Sequence, residues 1–253
     1  MAIPENRYLA AFGCAGKHIE EQAHKIAKDD FRWLKAQPSR PAFADLIFAI
    51  GCKIFAVLMV ECKSSKRLFG LKSEVTFSIP KEEQQLLIEE SSANNLIPVI
   101  FPLYLDKMLP LSTGWNLFTL PDMKFCDPLA GGIDTSAVPM SPWELSSFRV
   151  QIVMTDIEKR GWKILSYQDI PGIMPHVWFE NEKGERCWVA VIDKEDETPE
   201  TQASIRRTAA RITSHYRGYL ARVGARDNPL FPSIPMRGAG LMVAYTGLEE
   251  INL

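Results

Sequence analysis

Residues 44–63 read ADLIFAIGCKIFAVLMVECK: a carboxylate, an apolar run, a break holding glycine and lysine, a longer apolar run, and then Glu61-Cys62-Lys63. Continuous apolar runs rich in Ile, Val and Phe, bounded by turn residues, read as strands buried on both faces. The stretch therefore predicts a β-hairpin with Gly51-Cys52-Lys53 as its loop. Its open end gathers Asp45, Glu61 and Lys63. Strand alternation puts Glu61 and Lys63 on the face of Phe55, Val57 and Met59. If Ile50 pairs with Ile54 across the loop, Asp45 falls opposite Met59 and one diagonal step from Glu61. A slip of one residue would separate the two carboxylates.

Two carboxylates and a lysine at the end of a buried sheet are costly to desolvate unless a cation or mutual pairing offsets the charge. Magnesium, which prefers carboxylate oxygens and keeps its waters, suits such a set. An Asp at the start of one strand and Glu-x-Lys in the next resembles the active site of the PD-(D/E)XK, or restriction-endonuclease-like, nuclease superfamily. The resemblance covers about residues 13–120. It implies an α/β fold, a mixed sheet flanked by helices, and metal-dependent hydrolysis of phosphodiester bonds in nucleic acid, with DNA as the expected substrate. It also implies Asp45 and Glu61 as ligands of Mg2+ or Mn2+, and Lys63 as a catalytic group that orients or helps deprotonate water. In several branches of the superfamily a Glu on the first helix reaches the metal, which points to Glu20.

Structural alternatives stand beside each of these readings. A Glu-x-Lys tripeptide arises by chance about once in a few hundred residues, and an ordinary ion pair at a strand end would have the same sequence. Asp122-Met123-Lys124 is a similar match in a turn-rich stretch without a strand. Glu20 could equally pair with a neighbour one helical turn away. The functional alternative is a non-catalytic nucleic-acid- or protein-binding module on the same fold.

The chain of 253 residues is 46% hydrophobic and 24% charged, ordinary for a globular protein with a substantial core. No apolar run has the length of a membrane span and residues 1–16 lack a secretory pattern, so a cytoplasmic protein without membrane association is expected. Five widely spaced cysteines without a C-x-x-C argue against a disulfide framework or a zinc site. With 29 basic and 31 acidic residues the net charge is −2, so nucleic-acid binding would need a local basic patch.

In chain order, apolar spacing predicts a helix over 17–37, then the hairpin, a strand at 75–79, a helix from Lys81 to about Asn95, and strands at 96–105 and 115–120. Gln84 or Gln85 could approach the site from that second helix. Lys63, Lys66, Arg67 and Lys72 form a first basic cluster beside the site. Residues 121–142, dense in Pro, Gly, Ser and Asp, read as a linker between a domain at 1–120 and another at 143–253.

The second half repeats the plan: a helix at 143–160, a strand at 162–167, a hairpin at 174–192 turning at 181–184, a helix over 201–224, and a strand at 240–246. The recurrence suggests a tandem duplication into two similar lobes. Pro175-His176 would then stand where the superfamily has Pro-Asp, and Ala190 and Ile192 where it has Glu and Lys, a degenerate site. On the 201–224 helix, Arg207, Arg211, His215, Arg222 and Arg226 fall on one stripe that suits a phosphate backbone, or a solvated helix face. Nucleases of this superfamily often act as dimers, so either a homodimer or a monomeric pseudo-dimer is implied.

Overall fold

The computed structural model describes residues 3–35, 43–65, 74–77, 79–134, 136, 138–194, 197–212, 216–227, 235–237 and 241–251. Lys66, Arg67, Lys72 and His215 lie outside these residues. The chain forms two units, Met1–Ser136 and Ala137–Leu253.

In the first unit the hairpin is central. Strands β2 (Leu46–Ile50) and β3 (Lys53–Ser65) pair antiparallel. Their α1-facing residues Leu46, Phe48, Phe55, Val57 and Met59 join one hydrophobic core with Ala11, Ala15, Ile19 and Ala23 of helix α1 (Glu5–Ile26). Three alanines in that fourth-residue series, Ala11, Ala15 and Ala23, let the helix lie close to the sheet. The opposite face, with Ile47, Ala49, Ile54, Ala56, Leu58 and Val60, is equally buried. On that basis both strands can be apolar without interruption.

Helix α2 (Lys81–Ala93), which buries Leu87, links β3 to the parallel strand β5 (Ile97–Tyr104). Parallel neighbours need such a crossover. The sheet runs β1-β2-β3-β5-β7-β8, with β1 (Phe31–Lys35), β7 (Leu117–Thr119) and β8 (Phe125–Cys126) added antiparallel. Two short strands lie off this path: β4 (Glu74–Phe77) pairs with β3, and β6 (Leu109–Pro110) with β5.

Two expectations are corrected in this unit. The first helix ends at Ile26, and Phe31–Lys35 is a strand. Phe31 and Leu34 match a helical spacing, but Phe31 and Trp33 also alternate, and pairing with Phe48 and Ile50 of β2 selects the strand. The expected linker is also shorter, because Phe125 and Cys126 pair with β7 and Cys126 is buried. Further on, Asp134 accepts the Cys52 amide at 2.9 Å.

That last contact presses on the hairpin turn. Gly51 has φ +58°, and a Cβ there would sit 2.6 Å from the Asp134 carbonyl oxygen and 2.8 Å from Ile133 Cγ2. Gly51→Ala combines a left-handed backbone with a collision against main chain, and is expected to cost about 1–3 kcal/mol. Chemical denaturation measures it, and an unchanged midpoint would show that the turn relaxes freely.

The second unit is built on helix α3 (Pro142–Lys159), capped by a reciprocal Ser141–Glu144 box. Strands β9 (Lys163–Tyr167), β10 (Val177–Glu180) and β11 (Arg186–Ile192) follow as an antiparallel meander. Helix α4 (Pro199–Arg211) crosses to the parallel strand β12 (Arg217–Asp227), and β13 (Leu241–Glu250) closes the sheet antiparallel. Its order is β13-β12-β11-β10-β9. Helix, three-strand meander, crossover helix, parallel strand and antiparallel neighbour thus occur in both units, in the same order.

The expected helix over 201–224 is corrected, since it ends at Arg211 and Arg217–Asp227 is strand β12. Alternating Tyr219, Ala221 and Val223 pack on the α3 side, and Gly218 lies against the Trp188 ring, where a Cβ would come within 2.5 Å. Pairing with β11 on one side and β13 on the other outweighs an apolar spacing that also fits a helix. Among the described residues, no helix is long and apolar enough to cross a membrane.

Candidate active site

The open end of the first hairpin carries the site, and its register differs from expectation. Ile50 pairs with Lys53, so Gly51-Cys52 is a two-residue turn and Leu46 pairs with Val57. That shift of one brings Asp45 level with Leu58 instead of Met59, and strand alternation would send its side chain to the face away from Glu61.

The ladder breaks at that residue. The Asp45 amide donates to the Val57 carbonyl at 2.8 Å, and the carboxylate takes over the next rung: Oδ2 accepts the Met59 amide at 2.7 Å. Oδ1 accepts the Tyr8 hydroxyl at 2.8 Å. Tyr8 belongs to α1, which packs on the Met59 face. The side chain therefore points towards the face that also holds Glu61 and Lys63, with Glu61 about 7 Å farther along β3.

Burial pushes the Asp45 carboxyl above the ordinary carboxylate value. Its hydrogen bonds from Met59 and Tyr8 and the charge of Lys35 pull the other way, while Glu83 adds to the rise. Lys35 itself donates to the Ala44 carbonyl at 2.5 Å. Glu61 is half-buried, and its carboxylate lies 3.4 Å from Lys63 Nζ, whose side chain is 71% exposed. An ion pair so exposed contributes at most about 1 kcal/mol, which leaves Lys63 free to change partner.

The second helix contributes Glu83 near Asp45, a residue whose place in an acidic first turn reads in sequence as compensation of the helix dipole. Of the expected pair, Gln85 instead donates to Glu89 at 2.6 Å. Glu20 is not brought to the site. It is exposed and lies 4.0 Å from His24, about 18 Å beyond Tyr8 along the α1 axis. The earlier start of α1 puts Tyr8, not Glu20, against Asp45. Among the described residues, no three His, Cys, Asp or Glu side chains form a metal-binding group.

The basic stripe of the second half is dissolved by the break between α4 and β12. Arg207 and Arg211 are exposed on α4, whereas Arg222 and Arg226 belong to β12. Arg222 is neutralised by Glu197 at 2.8 Å and Glu249 at 2.5 Å.

The second unit repeats the hydrogen bonding of Asp45 with a different side chain. The His176 amide donates to the Val189 carbonyl at 2.9 Å, and His176 Nδ1 accepts the Val191 amide at 3.0 Å. Val189 and Val191 thus correspond to Val57 and Met59. The counterpart of Glu61, two residues beyond Met59, is then Asp193, which corrects the assignment of Ala190 to that place. Asp193 forms an ion pair with Arg149 of α3, and both side chains are largely buried.

The two arrangements differ in charge. Burial drives the His176 pKa down to about 4, so the ring is neutral with its proton on Nε2, and the Arg149 guanidinium already balances Asp193. A carboxylate followed by a basic residue at 193–194 was visible in sequence, but only the hydrogen bonds of His176 align it with Glu61. No curated protein and no solved structure matches the chain. Residues 143–251, most of the second unit and less than half of the chain, match a family described as a domain of unknown function (DUF8840).

Proposed function

We propose that the chain hydrolyses phosphodiester bonds of nucleic acid, DNA foremost, with a divalent cation held in the first unit, and that the second unit is a degenerate copy of the same restriction-endonuclease-like plan. The observation that carries this reading is the anchoring of Asp45 by the Met59 amide and Tyr8 on the face of Glu61 and Lys63. The shared element order of the two units supports the duplication, which would make the chain a pseudo-dimer.

The residues fit Mg2+ or Mn2+. Asp45 and Glu61 offer hard oxygen donors, and two carboxylates suffice for an ion that keeps several waters. Asp45 is a carboxyl whose ionised form is disfavoured by burial, and a cation would offset that cost. Bound there, the ion would polarise a phosphoryl oxygen and make a water acidic enough to attack at neutral pH. Tyr8 and the Met59 amide hold the Asp45 carboxylate in one orientation. Lys63 Nζ, on a mostly exposed stem, would donate to the phosphate oxygens as their charge grows.

Asp45→Asn tests the reading. Asparagine can accept from the Met59 amide and donate to Tyr8, so the fold is kept while the charge is lost. The raised carboxyl value means that, without metal, ionised Asp45 costs stability as pH rises through its folded pKa. Near neutral pH the metal-free variant should therefore be at least as stable as the wild type. The variant should lose both cleavage of DNA in Mg2+ or Mn2+ and the thermal stabilisation by Mn2+ that the wild type shows. Wild-type protein that cleaves no DNA, or a variant that cleaves as well as wild type, would refute the proposal, the first outcome favouring a non-catalytic binding module.

A further inference from the structure

Among the described residues, helix α4 covers only part of its face of the second sheet. Ile205 and Ala209 pack on Trp188, Ala190 and Ile192, and towards β9 the face opens into a cleft of about 350 Å³ lined by Leu165, Ser166, Trp178, Arg186 and Tyr216. A bulge makes one wall. Trp178 pairs with Ser166 and Phe179 with Ile164, so Leu165 is skipped. Two consecutive side chains then line the same cleft, which regular alternation forbids.

Trp178 and Tyr216 form the opposite corner, their rings 5.5 Å apart at 86°, and both are half-buried. Arg186 is exposed and makes no side-chain hydrogen bond or ion pair among the described residues. Glu180 stands opposite it and Lys163 opposite Glu180. That row holds two cations and one carboxylate, a net positive charge.

We propose that this cleft binds a nucleotide, with the base against the Trp178–Tyr216 corner and the phosphate on Arg186. An aromatic wall accepts the face of any base, and a basic group beside it takes the backbone anion. Ser166 adds a hydroxyl for a base edge. The open shape suits a nucleotide within a single strand as well as a free one. Binding requires neither Asp45 nor a metal ion, so it stands apart from the hydrolytic proposal.

The test uses the full chain in chelator, a fluorescently labelled oligothymidylate read by anisotropy, and thymidine 5′-monophosphate as competitor. Trp178→Ala is expected to weaken binding about five- to hundredfold. Arg186→Gln should weaken it and make the salt dependence shallower by about one. Ser166→Tyr, a substitution at an exposed position that fills the cleft, should block binding even if Trp178→Ala destabilises the sheet. Displacement by the monophosphate would identify a free-nucleotide site, and variant-sensitive binding without displacement a strand site. The proposal is overturned if neither probe binds, or if folded Arg186→Gln and Ser166→Tyr proteins bind as tightly as wild type.

Discussion

Replacing Arg237 by methionine is expected to remove about 3–5 kcal/mol from the stability of the second unit. The Arg237 and Glu144 side chains are 4% and 7% exposed, and they meet through Nη2–Oε2 at 2.8 Å and Nε–Oε1 at 2.9 Å. Glu144 also closes the α3 cap, accepting the Ser141 amide at 2.8 Å. Methionine would fill much of the arginine's volume while leaving a buried carboxylate with one of its partners gone.

Exposed ion pairs contribute little, but a buried pair broken on one side leaves an uncompensated charge. Replacing Glu144 by methionine as well would remove that charge, at the loss of the cap, worth about 1 kcal/mol. The double variant is therefore expected to be more stable than Arg237→Met alone. Urea midpoints of wild type, both single variants and the double variant give the coupling energy directly. A single variant within about 1 kcal/mol of wild type would show that Glu144 regains solvent and that the pair is not the tether it resembles.

Acidification should destabilise the second unit through His176 by about 3 kcal/mol. The ring is 3% exposed, accepts the Val191 amide on Nδ1 and has its pKa pushed down to about 4 by burial. An unfolded chain regains an ordinary histidine, near 6.5. Between these values the unfolded state binds a proton that the native state refuses, so stability falls as pH drops from about 6.5 towards about 4 and levels off below. His176→Asn keeps an acceptor for the Val191 amide without a titrating group. Its stability should be flatter over that window, and the wild-type-minus-variant difference cancels the titration of the other groups. Parallel pH profiles for the two proteins would exclude His176 as the source.

The site was legible in the sequence only in part. Asp45, Glu61 and Lys63 stand at the ends of two apolar runs, and proximity at the open end of a hairpin follows from that alone. Which face Asp45 uses did not follow. A two-residue turn moves the register by one, against the meeting of the carboxylates, and a side-chain hydrogen bond to the Met59 amide, with Tyr8 beside it, turns Asp45 back. Neither a cap of this kind nor its repetition by His176 leaves a periodic trace. For the same reason Ala190 stood in sequence for a position that Asp193 fills.

Legible in the residues alone were the apolar runs Leu46–Ile50, 54–60, Ile97–Tyr104 and 187–192 as buried strands, and the helices near Lys81–Ala93 and Pro142–Lys159 that flank them. Their apolar content is long or regular enough that only one periodicity fits. Phe31–Lys35 and Arg217–Asp227 became strands through long-range pairing, since their few apolar residues fit a helix as well as a strand. Their backbone groups take the partner that the neighbouring strand offers, and that partner is distant in sequence.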